Sequence, residues 1–122
     1  MLNRFTLYTK HEMFVNECYR YLNKFPRKER FTFTDKLKSL MLDELEIIVK
    51  LDLSSEWPEK LKLAKSLSCK YDITKTVISM ALNLGIIKVR HHHRFSLYLN
   101  ELGKITGGYI KTAKKKIKET KI

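Results

Sequence analysis

An all-α fold, four helices in an up-down-up-down antiparallel bundle, is what this 122-residue sequence predicts. Three observations carry the prediction. Apolar residues recur at intervals of three and four along four long segments. Only two prolines and four glycines punctuate the chain, too few for a turn-rich β fold. No pair of alternating segments flanks a hairpin turn.

The first helix is expected over about residues 9–25, where Phe14, Cys18, Tyr21 and Phe25 follow steps of 4, 3 and 4 until Pro26 stops it. After the polar turn "RKER", Thr32 with Asp35 reads as a capping-box start for a helix over about 32–52. Its stripe is Leu37, Leu40, Met41, Leu45, Ile48 and Leu51, which leaves Asp43, Glu44 and Glu46 to solvent.

"DLSSEWPEK" ends that helix and offers Ser54 or Ser55 as the next cap, with Pro58 fitting only a first turn. The third helix, about 58–84, carries Leu61, Ala64, Leu67, Tyr71, Thr74, Val77, Ala81 and Leu84, with a break open near Ser68–Asp72. Gly85 is placed to close it in the left-handed conformation. The fourth, about 89–118, sets Phe95, Tyr98, Leu102, Ile105, Tyr109, Ala113 and Ile117 on one face. Short connections between long helices require antiparallel neighbours. The chain reads as one domain over residues 1–122 with a lysine-rich C-terminal end.

Composition narrows the function. Twenty-five basic residues oppose 13 acidic ones, a net charge of +12. From Ile86 onward the basic residues are Lys88, Arg90, Arg94, Lys104, Lys111, Lys114, Lys115, Lys116, Lys118 and Lys121, against Glu101 and Glu119, so that stretch holds +8 of the +12. Lys104, Lys111, Lys115 and Lys118 form a stripe, and Arg27, Lys28 and Arg30 make a second cluster in the first turn. Such surfaces neutralise phosphates and release counterions. The expected partner is RNA or DNA, bound without base-specific readout.

His91, His92 and His93 are consecutive, hence about 100° apart on a helix, and cannot share a metal ion from one face. They add pH-dependent positive charge between Arg90 and Arg94. Neither metal nor cofactor is expected, and His11 stands isolated in sequence. No nucleophile elbow, phosphate-cradling glycine loop, zinc-protease helix or Cys–His pairing is present, so no catalytic activity is expected. Cys18 and Cys69 match no metal or redox spacing and fit a reducing compartment. With no apolar run of membrane length and no secretory leader, a cytoplasmic protein away from the membrane is expected.

A winged-helix DNA binder is the alternative from another class. "LAKSLSCKYDITKTVISMALNLGIIKVR" has the cadence of helix, turn and recognition helix, although "HHHRFSLYLNEL", where the wing would fall, reads helical.

"YLNKFPRKERFTFTDKL", "LNLGII" and "SLYLNELGKITGGYIK", in that order, resemble the accessory variability determinant (Avd) proteins of diversity-generating retroelements. These belong with the four-helix-bundle proteins encoded in intervening sequences of 23S rRNA genes, so a nucleic-acid binder of that second kind is a further alternative. The resemblance spans about residues 8–113 and rests on Phe25-Pro26-Arg27, Arg30-Phe31-Thr32, Leu102-Gly103 and Gly107-Gly108-Tyr109. It implies a non-enzymatic basic bundle, assembled as a homo-pentameric barrel, that binds a reverse transcriptase and its template RNA or cDNA to support mutagenic retrohoming. Tyr109 stands where the family has tryptophan, and Lys75 and Ser79 stand where its third helix usually has two arginines. Lys75 is kept as a contact residue, with Arg90, Arg94, Lys114 and the tail lysines compensating. Tyr8, Tyr19, Trp57 and Tyr109 are candidates for burial between subunits. Gly103, Gly107 and Gly108, closed by Tyr109 and Ile110, are expected to form a close-packing notch within the bundle or at a subunit contact.

Overall fold

The computed structural model describes residues 5–120, without the side chains of Arg30 and Phe31. Four α-helices occur among the described residues: α1 (Thr6–Leu22), α2 (Asp35–Leu53), α3 (Trp57–Asn83) and α4 (Val89–Thr120). Round the bundle each packs on its neighbours, α1 on α2 and α4, and α3 on α2 and α4. No strand occurs among the described residues, and α3 runs unbroken through Ser68–Asp72. Both facts remove the winged-helix alternative.

α1 starts three residues before its expected position and ends at Leu22, ahead of Pro26. Two turn hydrogen bonds, from the Lys24 and Phe25 amides to the Tyr21 and Leu22 carbonyls, carry Phe25 back into the core. "RKER" is not an open turn. Arg27–Glu29 form one 3₁₀ turn, and a π-type turn over Arg30–Thr34 leads into α2. The capping box does not form, because the Thr32 hydroxyl bonds the Glu29 carboxylate at 2.9 Å instead. α3 begins without a serine cap: Glu56 holds that place, and the Ser54 hydroxyl donates to the Glu56 carbonyl at 3.4 Å. Pro58 sits in the first turn and Gly85 takes φ +73°, both as the sequence predicts.

The interior is built from Leu7, Phe14, Cys18 and Leu22 of α1, with Leu37, Met41, Ile48 and Leu51 of α2. Leu67, Tyr71, Ile78 and Ala81 of α3 and Phe95, Leu99 and Leu102 of α4 complete it. Each large apolar side chain so buried contributes roughly 1.5–3 kcal/mol. The inward stripes differ from expectation by about one residue in places. On α2 the sixth inward position is Glu44, fully buried, while Leu45 is half-buried. On α3 Ile78 replaces Val77, and Leu84 is exposed beyond the helix end. On α4 the deepest residues are His91, Phe95, Leu99, Leu102, Thr106 and Ala113, leaving Tyr98, Ile105, Tyr109 and Ile117 at the flanks.

Candidate nucleic-acid interface

α4 turns one face inward, so the opposite face must look out, and its residues are His93, Leu97, Lys104, Gly107, Gly108, Lys111, Lys115 and Lys118, all exposed. The expected lysine stripe is therefore a line along the outer side of the longest helix, joined by exposed Lys114. From Lys104 to Lys118 it covers about 21 Å at 1.5 Å per residue. Among the described residues none of these lysines has an ion-pair partner, whereas neighbouring Lys116 approaches Glu119 at 4.0 Å.

Arg27 and Lys28 are exposed on the 3₁₀ turn at the other end of the chain's first connection, and Arg30, expected beside them, has its side chain outside the described residues. Arg90 is exposed at the start of α4. Arg94 differs from the others. Its Nε donates to Glu17 at 2.5 Å, and that carboxylate is almost fully buried against α4, with Arg20 at 3.7 Å on its other oxygen. The Glu17 contact raises the Arg94 pKa and leaves its charge locally balanced. Arg94 is chiefly the counter-ion of a buried acid.

The glycines separate into two roles. Gly103 sits at the α3–α4 seam, where a Cβ would meet Lys75 Nζ at 3.9 Å, so half-buried Lys75 lies across its bare backbone. Gly107 and Gly108 are exposed, and a Cβ on either would meet nothing within 4 Å. No notch exists inside the bundle at these two positions, because the turn that carries them faces away from the core. Tyr109 faces the other way. It packs edge-on to Phe5 at 6.2 Å and near Trp57 at 6.3 Å, and burial raises its phenol pKa.

The three consecutive histidines diverge. His91 turns into the bundle with its ring centroid 4.2 Å from that of Tyr21, and burial followed by the charges of Arg90, Lys24 and Lys88 lowers its pKa. Its positive charge is therefore disfavoured relative to an ordinary imidazole. His92 Nε2 lies 3.3 Å from the Ser79 hydroxyl, and only His93 faces out. Among the described residues no three His, Cys, Asp or Glu converge as metal ligands. No helix there is long and apolar enough to cross a membrane.

Sequence reasoning missed a polar cluster in the core. His11 Nε2 donates to the Met41 carbonyl at 3.0 Å, since a carbonyl only accepts, which leaves Nδ1 to accept the Tyr71 hydroxyl at 2.9 Å. Glu44 meets Thr74 one turn further along the same seam. The signal was present as spacing: Leu7, His11, Phe14 and Cys18 step by 4, 3 and 4, and Glu44 stands three beyond Met41 and four before Ile48.

The model of one protein family, described as bAvd-like, matches residues 5–113. No curated protein and no solved structure matches the chain.

Proposed function

The chain belongs to the bAvd-like family, whose members are accessory proteins of diversity-generating retroelements, and on that premise we propose that it binds the element's reverse transcriptase and template RNA or cDNA. It does so in the cytoplasm as a non-catalytic scaffold for mutagenic retrohoming. The observation that supports this most is the exposed line Lys104–Lys111–Lys115–Lys118, which has no internal counter-ions among the described residues. A row of unpaired ammonium groups along some 21 Å of one helix suits a phosphate backbone and carries no means of base readout. Arg27, Lys28, Arg90 and Lys114 extend the basic surface, and Lys75 contributes from the α3–α4 seam.

Assembly into a homo-pentameric ring belongs to the same proposal. Gly107 and Gly108 leave a side-chain-free spot in the middle of the lysine line, where a second copy or a nucleic-acid backbone can come close. Tyr19, exposed on α1, is available for a subunit contact, whereas Tyr109 is engaged within its own chain.

The test is affinity for template RNA and for unrelated RNA across a salt series, together with co-purification of the reverse transcriptase encoded beside the gene. Binding that weakens steeply with salt and a retained transcriptase support the proposal. Salt-independent or absent binding removes the nucleic-acid half, and a transcriptase that never co-purifies removes the other.

A further inference from the structure

A second concentration of charge lies where α1 stops and α4 begins. A cavity of about 200 Å³ opens there, with Tyr21, Lys24, Phe25, Lys88, Arg90 and His91 in its wall. Among the described residues no carboxylate lines it, and Lys24, Lys88 and Arg90 form no ion pair. The Lys24 ammonium instead rests over the Tyr21 ring, 5.1 Å from its centroid. Three like charges gathered around one recess repel one another unless an anion joins them.

Two further features favour an anion. His91 is only 6% exposed, and its Nε2 is buried with no hydrogen-bond partner among the described residues. Folded proteins rarely leave such an atom unbonded. Lys88 also caps α4: its carbonyl takes the amides of both His91 and His92, at 3.0 and 3.1 Å. The Val89 and Arg90 amides precede that first bond and have no backbone acceptor among the described residues, so unpaired N–H groups of that set and the positive end of a 32-residue helix lie at this end of the bundle.

We infer that this recess is a phosphate-binding site, in which Lys24, Lys88 and Arg90 neutralise the group and His91 and the first amides of α4 donate to it. A phosphate offers only acceptors, and these walls offer cations and donors. The phosphate's source rests on the nucleic-acid reading above, as a terminal phosphate or a backbone phosphodiester; the anion chemistry does not rest on it. The site is distinct from the lysine line, which begins at Lys104, more than three turns along α4. Burial lowers the His91 pKa first, and the charges of Arg90, Lys24 and Lys88 add to it; bound phosphate would offset those charges, so occupancy raises that pKa.

Inorganic phosphate titrated into the full chain at constant ionic strength, followed by amide and imidazole NMR, tests the site. Expected are saturable resonance changes confined to the walls of the recess, around Tyr21–Phe25 and Ile86–His92, with the His91 pKa rising by about one unit while His11 is unmoved. The double variant Lys24→Gln, Lys88→Gln should lose at least tenfold in phosphate affinity and keep its helix content. Resonance changes spread evenly over the α4 lysines, or an unchanged response in the double variant, overturn the inference. RNA of one sequence with a 5′-phosphate or a 5′-hydroxyl then separates the sources. Tighter binding of the phosphorylated form, lost in the double variant, assigns the terminal phosphate; equal binding of both, weakened alike in that variant, assigns the backbone. A variant lacking the tail lysines that loses RNA but keeps the phosphate response shows that the two sites fail separately.

Discussion

Glu44 and Thr74 share a hydrogen bond of 2.5 Å across the seam between α2 and α3. Glu44 is fully buried, and its Oε1 has no partner among the described residues. Thr74 has one hydroxyl hydrogen and a second acceptor in reach, the Lys70 carbonyl at 3.0 Å. A protonated Glu44 resolves the count, because its own proton then serves the Thr74 oxygen while the hydroxyl hydrogen serves Lys70. Burial is the largest influence on this carboxyl and pushes its pKa up to about 8, against the opposing effects of Thr74 and Lys70.

Stability should therefore fall as pH rises. Between the ordinary carboxylate pKa and about 8, folded Glu44 holds a proton that the unfolded chain has released, so its contribution erodes through that window and is gone above it. Each pH unit between the folded and unfolded pKa values is worth about 1.4 kcal/mol, so the full effect is on the order of 3–5 kcal/mol. Glu44→Gln removes the titration. Urea midpoints of the two proteins should diverge from about pH 5 to 8 and run parallel above that, with the variant the more stable at pH 9. Curves parallel throughout would show that Glu44 is ionised in both states.

His11 ties three helices together through its two ring nitrogens. His11→Ala strands the Tyr71 hydroxyl and the Met41 carbonyl and opens a hole, at a cost of about 3–4 kcal/mol by chemical denaturation. Burial keeps the His11 pKa below its usual value. Acidification below about pH 6.5 then protonates the unfolded chain preferentially, and stability is lost as pH falls. His11→Gln should flatten that acid limb; an unaltered limb assigns it to other groups, His91 among them.

Alanine at Gly107 or Gly108 should stabilise the isolated chain by about 0.5–1 kcal/mol each, since both are helical and a Cβ there meets nothing. Unfolding at low concentration reads that effect. Light scattering at high concentration reads the opposite one: if the bare spot receives a second copy, the same substitutions reduce the assembled mass. Unchanged mass places the contact elsewhere.

Changing Lys111, Lys115 and Lys118 together to glutamate should weaken RNA binding at least tenfold at moderate salt. The slope of log affinity against log salt should become shallower by about 2–3, near 0.7–0.9 for each phosphate no longer neutralised. Circular dichroism should show the helix content retained, because all three side chains are exposed on the outer face. An unchanged slope moves the interface off α4.

Much of this protein was legible in its sequence. Helix spacing, the Pro58 start, the Gly85 stop and the Lys104–Lys118 line depend on residues within a few positions of one another, and local sterics and periodicity act over that range. The family features near Phe25-Pro26-Arg27 and Gly107-Gly108-Tyr109 were legible for the same reason, as short patterns in order. The inward places of His11, Glu44 and His91 were legible only as spacing, because polarity argued for the surface. Tertiary structure decided what lay opposite them: Tyr71 and Met41 for His11, Thr74 for Glu44, Tyr21 for His91. It also decided that Arg94 answers Glu17, 77 residues away, and that Lys24 and Lys88 line one recess. A helix's own sequence sets which face a residue occupies. Whether that face is tolerable for a charge or a ring nitrogen depends on partners brought from distant segments, and only the packed bundle supplies them.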